Sequence, residues 1–205
     1  MVTIIDYGLG NIRAFVNMYK RMNIETHVAR SAGDLQDAER LILPGVGTFD
    51  YAMELLSASG MRDPLTDLVL ERHVPVLGVC VGMQILAKSS EEGSARGLAW
   101  IDARVLHFSG RPEFTGLPTP HMGWNDVKAE RESSLFRGLS NDARFYFLHS
   151  YFVDCADAGT IAARAGYGLQ FACAVHRDNI FGVQFHPEKS HHWGARLLKN
   201  FAEAA

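Results

Sequence analysis

The sequence predicts one α/β domain over residues 1–205, with a mostly parallel, helix-flanked central sheet and an antiparallel extension. Three observations carry that expectation. The first half alternates short apolar runs with amphipathic stretches, the pattern of a parallel sheet covered by helices on both faces. The second half is strand-rich and has a hairpin signal at Arg177-Asp178. No repeat or low-complexity linker divides the 205 residues, and 47% of them are hydrophobic, enough for one sizeable core.

Taken in order, residues 2–6 form the first strand. A helix over about 11–22 follows, with Ile12, Phe15, Val16, Tyr19 and Met22 on one stripe. Residues 24–29 are the next strand, and a short helix lies around 34–38. Leu41-Ile42-Leu43 is a strand that runs into the Pro44-Gly45-Val46-Gly47 loop. Thr48 starts a helix reaching about Ser57, and Asp63-Pro64 opens another, the aspartate as cap and the proline in the first turn. Residues 76–79 are a buried strand that breaks at Cys80, and 84–88 continue as a helix. Further strands are expected within 98–108, 122–127, 144–153, 161–165, 172–176 and 179–185. Residues 110–120, with three prolines and two glycines, form a surface loop, and a last helix covers about 191–202.

Composition narrows the function classes. A net charge of −3 gives no electrostatic reason for a nucleic-acid or acidic-membrane partner. The longest apolar run, 74–83, is too short to cross a bilayer, and the first residues read as a strand rather than a signal peptide. Three cysteines with no paired spacing suit a reducing cytoplasm better than a disulfide framework.

Cys80 carries the chemistry. Gly78-Val79-Cys80-Val81-Gly82 is the thiol form of a nucleophile elbow, a sharp strand-to-helix turn that lifts one side chain above the sheet edge. The following helix is expected to aim its amides and dipole at the sulfur and favour the thiolate. A buried core cysteine is the alternative, and Cys155 and Cys173, without glycine flanks, are read that way. The other half of a reactive group lies in His186-Pro187-Glu188. Two residues apart in an extended stretch, held so by the proline, the imidazole and carboxylate would share a face. Cys80, His186 and Glu188 then make a nucleophile, a base and an orienting carboxylate.

Other motifs divide less sharply. Gly8-Leu9-Gly10 resembles a dinucleotide fingerprint, but its third glycine would fall at Arg13, so a tight strand-to-helix turn is expected. Val46 and Gly47 should lie at the same sheet edge as Cys80, where their loop and the Val81 amide could hold a developing oxyanion. His191-His192 is read as the exposed start of the last helix, and no metal site or cofactor is expected. Met122 and Trp124 are either core or a partner anchor. His149, in an aromatic run with no nucleophile beside it, is read as structural.

With these motifs collected, the chain resembles the class I, triad-type glutamine amidotransferases, a flavodoxin-like fold. It is most similar there to the glutaminase subunits of imidazole glycerol phosphate synthases. The resemblance rests on Asp6-Tyr7-Gly8-x-Gly10-Asn11, Pro44-Gly45-Val46-Gly47, the elbow through Met83-Gln84, His121-Met122-Gly123-Trp124-Asn125, His149-Ser150-Tyr151 and Phe185-His186-Pro187-Glu188-Lys189-Ser190. It implies that Cys80 attacks the glutamine carboxamide, and that Gly47, Gln84, His149, Ser150 and Tyr151 line the substrate pocket. It also implies a (β/α)8-barrel synthase as heterodimeric partner, with Asn11, Met122, Trp124 and Lys189 at or near the interface. Ammonia would pass shielded into that barrel, which cleaves a phosphoribulosyl-formimino aminoimidazole carboxamide ribonucleotide. Three readings remain open from the residues alone: a paralogous glutaminase serving another barrel, a cysteine hydrolase or redox sensor, and a binding module with an inert Cys80.

Overall fold

Four strands with no polar face, Val2–Ile5 (β1), Leu41–Gly45, Val76–Cys80 and Ile180–Val183, are buried at every position, the mark of parallel strands covered on both sides. In chain order after β1, a computed structural model of the protein gives β2 (Thr26–Ala29), β3 (Leu41–Gly45), β4 (Val76–Cys80), β5 (Ser89–Ser90) and β6 (Ala103–His107). Then come β7 (His121–Asp126), β8 (Lys128–Ala129), β9 (Arg144–His149) and β10 (Tyr151–Cys155). The last three strands are β11 (Ile161–Tyr167), β12 (Leu169–Arg177) and β13 (Ile180–Val183). The helices are α1 (Ile12–Arg21), α2 (Phe49–Ala58), α3 (Arg62–Thr66), α4 (Val81–Gln84) and α5 (His191–Glu203). The structure describes residues 1–130, 133–140 and 142–203.

The main sheet has the order β2-β1-β3-β4-β13-β12-β10-β6-β5, with β11 on β12 and β8 on β11. Pairing from β2 to β13 is parallel, and it turns antiparallel at the β12–β13 hairpin. Asp178 in that turn has φ 52° and Arg177 pairs with Ile180, so the hairpin forms where the sequence signalled it. One contiguous apolar core joins both halves, with α1 contributing Phe15 and Tyr19 and α5 contributing Leu197, Leu198 and Phe201. β7 and β9 stand apart as a two-stranded antiparallel ribbon. Its inner face, Phe145 and Phe147, packs on Phe185 at ring separations of 4.1 and 5.5 Å.

Local differences from the expected elements have local causes. The helix expected over 84–88 is instead one turn, Val81–Gln84, directly after the cysteine. The chain then leaves helical geometry to run toward β5, so the macrodipole available to the sulfur is that of four residues only. Asp63 does not cap α3: Met61 holds that position, Asp63 lies in the first turn, and a π-helical turn, Asp67–Glu71, continues the helix. The run 144–153 is two strands, parted at Ser150, which hand the chain from the ribbon to the main sheet. The helix near 34–38 is a 3-10 turn over Ala32–Leu35, entered through a Ser31–Asp34 capping box.

Candidate active site

Cys80 ends β4 with φ 56° and ψ −115°, a conformation that costs a non-glycine residue about 1–3 kcal/mol. Close packing holds it there. A Cβ on Gly78 would lie 2.6 Å from the Gly82 carbonyl oxygen, and one on Gly45 would lie 2.6 Å from the Gly82 amide nitrogen. A Cβ on Gly82 would run into the Leu43 carbonyl oxygen. The glycines therefore let β3, β4 and the elbow touch through their main chains, a tighter role than leaving room for substrate.

Sheet register delivers the other groups. Cys80 pairs with Gly45 of β3, so Val46 and Gly47 begin immediately beside it. Val79 pairs with Val183 of β13, which puts Gln184, Phe185 and His186 just beyond the same carboxyl edge. His186 donates its backbone N–H to the Tyr146 carbonyl at 2.9 Å, and Pro187–Lys189 then turns as a 3-10 helix. The expectation of an extended His186–Glu188 pair is thus corrected: proline opens a helical turn here, as it readily does at a first turn. The turn still brings Nδ1 of His186 within 2.9 Å of Oε1 of Glu188, with side-chain exposures of 4% and 2%. The other Glu188 oxygen, Oε2, is buried with no hydrogen-bond partner among the described residues.

Electrostatics favour a charged imidazole. Burial pulls the His186 pKa down, but hydrogen bonds and charge from Cys80 and Glu188 outweigh it and raise the pKa to about 9. The positive charge of His186 thus lies between the Glu188 carboxylate and the Cys80 sulfur. Burial pushes the Cys155 thiol up to about 12 and raises that of Cys173 as well. Cys173 is buried as expected, whereas Cys155, at the end of β10, is only partly buried.

Above Cys80 lies a cleft of about 280 Å³, near the lower end of small-molecule pockets at about 300–1,000 Å³. Val46, Gly47 and Val81 line it beside Cys80 and His186, and Gln84, His149, Ser150 and Tyr151 form further wall. Gln84 spends its amide on the protein, donating Nε2–H to the Tyr151 carbonyl at 3.3 Å and to Gln184 Oε1 at 3.0 Å. The four residues singled out for a partner interface are on the surface. Met122 is 62% and Trp124 40% exposed, while Lys189 places Nζ 5.8 Å from the Tyr146 ring centre. Asn11 is exposed at the amino end of α1. The Gly8 and Gly10 turn, with φ 99° and 98°, packs against Pro44, and Tyr7 Oη donates to the Pro44 carbonyl at 2.8 Å, so this motif braces the loop beside Cys80. His191 and His192 are exposed, and among the described residues no group of three or more His, Cys, Asp or Glu could hold a metal. No helix among them is long and apolar enough to cross a membrane.

Two site residues escape the sequence reading. Gln184 Nε2 points at Cys80 Sγ, 3.8 Å away, and Glu92 lines the cleft while accepting the Phe49 N–H at 2.8 Å. A lone amide between Val183 and Phe185 was the available signal for Gln184, since a buried amide must find partners.

The model of the "Glutamine amidotransferase class-I" family matches residues 3–205. The chain belongs to that family and is a glutamine-hydrolysing enzyme. It is 57% identical over 203 residues to the imidazole glycerol phosphate synthase subunit HisH of Bdellovibrio bacteriovorus, covering 99% of this chain and 100% of the relative. The proteins of the same name from Leptospira interrogans and Pseudomonas aeruginosa (HisH 2) are 50% and 46% identical, with at least 98% of each chain covered. Among solved structures, a glutamine amidotransferase superposes with a TM-score of 0.73 at 23% identity, over 98% of this chain and 96% of the other. PurLQS from Thermotoga maritima gives the same score at 16% identity and the same coverage. At these identities the superpositions speak for the fold.

Proposed function

We propose that this chain is the glutaminase subunit of an imidazole glycerol phosphate synthase, hydrolysing glutamine at Cys80 and handing the ammonia to a (β/α)8-barrel partner. The observation that carries the chemistry is the Cys80–His186–Glu188 group, whose cysteine and histidine line the cleft while Glu188 holds the histidine. Cys80 Sγ attacks the side-chain carbonyl carbon of glutamine, and the oxygen that becomes negative is held by amides of Val81 and the Val46–Gly47 loop. His186 gives its proton to the departing nitrogen, and ammonia leaves with a thioester on Cys80. Water, losing a proton to His186, attacks the thioester, and glutamate and the free thiol result. Glu188 holds the imidazole through Nδ1–H and stabilises its charge. Glu92, a carboxylate on the cleft wall, suits the substrate's α-ammonium.

The family relatives named for imidazole glycerol phosphate synthase support histidine biosynthesis as the pathway. There the barrel uses the ammonia to convert the phosphoribulosyl ribonucleotide to imidazole glycerol phosphate and aminoimidazole carboxamide ribonucleotide, in the cytoplasm. Met122, Trp124, Lys189 and Asn11 are assigned to the docking face. The test is Cys80→Ser in the complex with the barrel. Glutamine-dependent synthesis should vanish while ammonia-dependent synthesis persists; loss of both would make Cys80 structural.

A further inference from the structure

The inner face of the β7–β9 ribbon carries polar groups that none of these steps use. His121 and His149 pair directly across the ribbon, both buried, with His121 Nδ1 3.0 Å from His149 Nε2. The ends of this contact fix its direction. A carbonyl only accepts, so His149 donates Nδ1–H to the Tyr151 oxygen at 2.7 Å. Asn125 is oriented by donating Nδ2–H to the Gly166 carbonyl at 2.8 Å and accepting the Asp126 N–H at 2.8 Å. Its Nδ2 therefore also donates to His121 Nε2, 3.3 Å away. Burial keeps both rings neutral, with pKa values lowered to about 4 for His121 and about 3 for His149. One proton then lies between the rings, on His121 Nδ1. Beyond Tyr151 the hydrogen bonds already described continue through Gln84 and Gln184 to the Cys80 sulfur.

We infer that this chain of hydrogen bonds, from Asn125 to Cys80, sets the geometry of glutamine hydrolysis, with His121 and Gln184 as positioning residues. Gln184 fixes where the sulfur sits in the cleft. His121 locks His149 in the one tautomer that pins the Tyr151 carbonyl, and with it the Ser150–Tyr151 main chain on the cleft wall. The ribbon that exposes Met122 and Trp124 outward thus reaches the nucleophile inward. Shared polar networks of this kind couple their members, so their contributions are not independent.

The inference rests on the glutaminase reading, and its test separates the two. Ring ¹⁵N spectra of the subunit, between about pH 6 and 8 where an ordinary histidine titrates, should show His121 and His149 neutral with Nδ1 protonated. A charged ring or an Nε2–H tautomer on either would overturn the inference, whatever the activity. In the complex, His121→Phe keeps the stacking on Tyr167 and Phe147 at 4.0 and 4.8 Å but removes the donor. It should lower glutamine kcat/KM about tenfold and leave ammonia-dependent synthesis intact. His121→Asn, whose amide reaches the Nδ1 position, should restore most of the loss. Gln184→Met should lower kcat with KM nearly unchanged, and the two changes together should cost less than the product of their separate effects. Unaltered activity in His121→Phe, or strictly multiplicative losses, would sink the idea. An unsubstituted complex that released no glutamate would instead refute the glutaminase reading, with the ring spectra still deciding the tautomers.

Discussion

Cys80 and His186 are held ready by different means, one by main-chain packing and one by charge, and each can be tested separately. Gly82→Ala places a methyl against the Leu43 carbonyl, and overpacking of this kind costs about 1–3 kcal/mol; urea denaturation should show at least that loss. His186 should titrate near 9 by NMR, and lower in Cys80→Ala and in Glu188→Gln, each of which removes a group that raises it. Because the folded pKa exceeds the ordinary 6.5, its stabilisation is complete below about pH 6.5 and is lost as pH rises through 9. Glu188→Gln should also reduce turnover by up to about 10⁴ while glutamine affinity changes little, as when a triad loses its orienting carboxylate; retained activity would make Glu188 a structural partner only. The grouping of Cys80, His186 and Glu188 was legible because glycine flanks and a two-residue spacing are local signals, although the His186–Glu188 pair meets through a 3-10 turn and not through the extended stretch the spacing suggested. Gln184 and Glu92 were not, because their meaning depends on strand register and on a cleft that joins distant segments.

The β7–β9 ribbon shows what an alternation pattern conveys once its context is known. Met122 faces Leu148 and Trp124 faces Tyr146 on the outer side, while His121, Phe145, Phe147 and His149 are buried on the inner side. From sequence, Met122 and Trp124 suited either core or anchor, since the apolar residues of a ribbon exposed on one face look alike on both. Among the described residues, the aromatic rings beside Trp124 are those of His191 at 5.3 Å and Tyr146 at 6.3 Å, and Trp124 is 40% exposed. Trp124→Ala should therefore weaken barrel binding by at least about 2 kcal/mol, measured by titration calorimetry, with the free subunit's Tm nearly unchanged. A large fall in Tm with unaltered affinity would return Trp124 to the core. The parallel half of the sheet was legible from its fully apolar runs. The one-turn α4 and the break at Ser150 were not, because tertiary packing overrides local propensity there.

For the whole molecule, the open loop at the cleft mouth gives a partner something to act on. Gly47 has φ 93° with no atom of the described residues within 4 Å of the position a Cβ would take, and Val46 is 40% exposed. Turning that one peptide could add or remove an oxyanion donor worth about 10²–10³ in rate. Glutamate release should therefore rise from subunit alone, to subunit with barrel, to barrel with bound ribonucleotide; equal rates in all three would exclude such gating. The separate ribbon has a kinetic consequence of its own. It belongs to neither edge of the main sheet, and its hydrogen-bonded bridge to the catalytic turn is the His186 N–H on the Tyr146 carbonyl at 2.9 Å, with the Tyr146 N–H on Ser190 Oγ at 3.0 Å. Phe145 and Phe147 anchor the ribbon on Phe185, so the ribbon and the turn that hangs on it open together as one cooperative unit. In deuterium-exchange experiments the His186 amide should therefore exchange in step with β9 and faster than the amides of β4. A barrel that clamps the ribbon should slow all of them together, so that protection spreads from a surface strand to the base of the triad without any residue of the triad being touched.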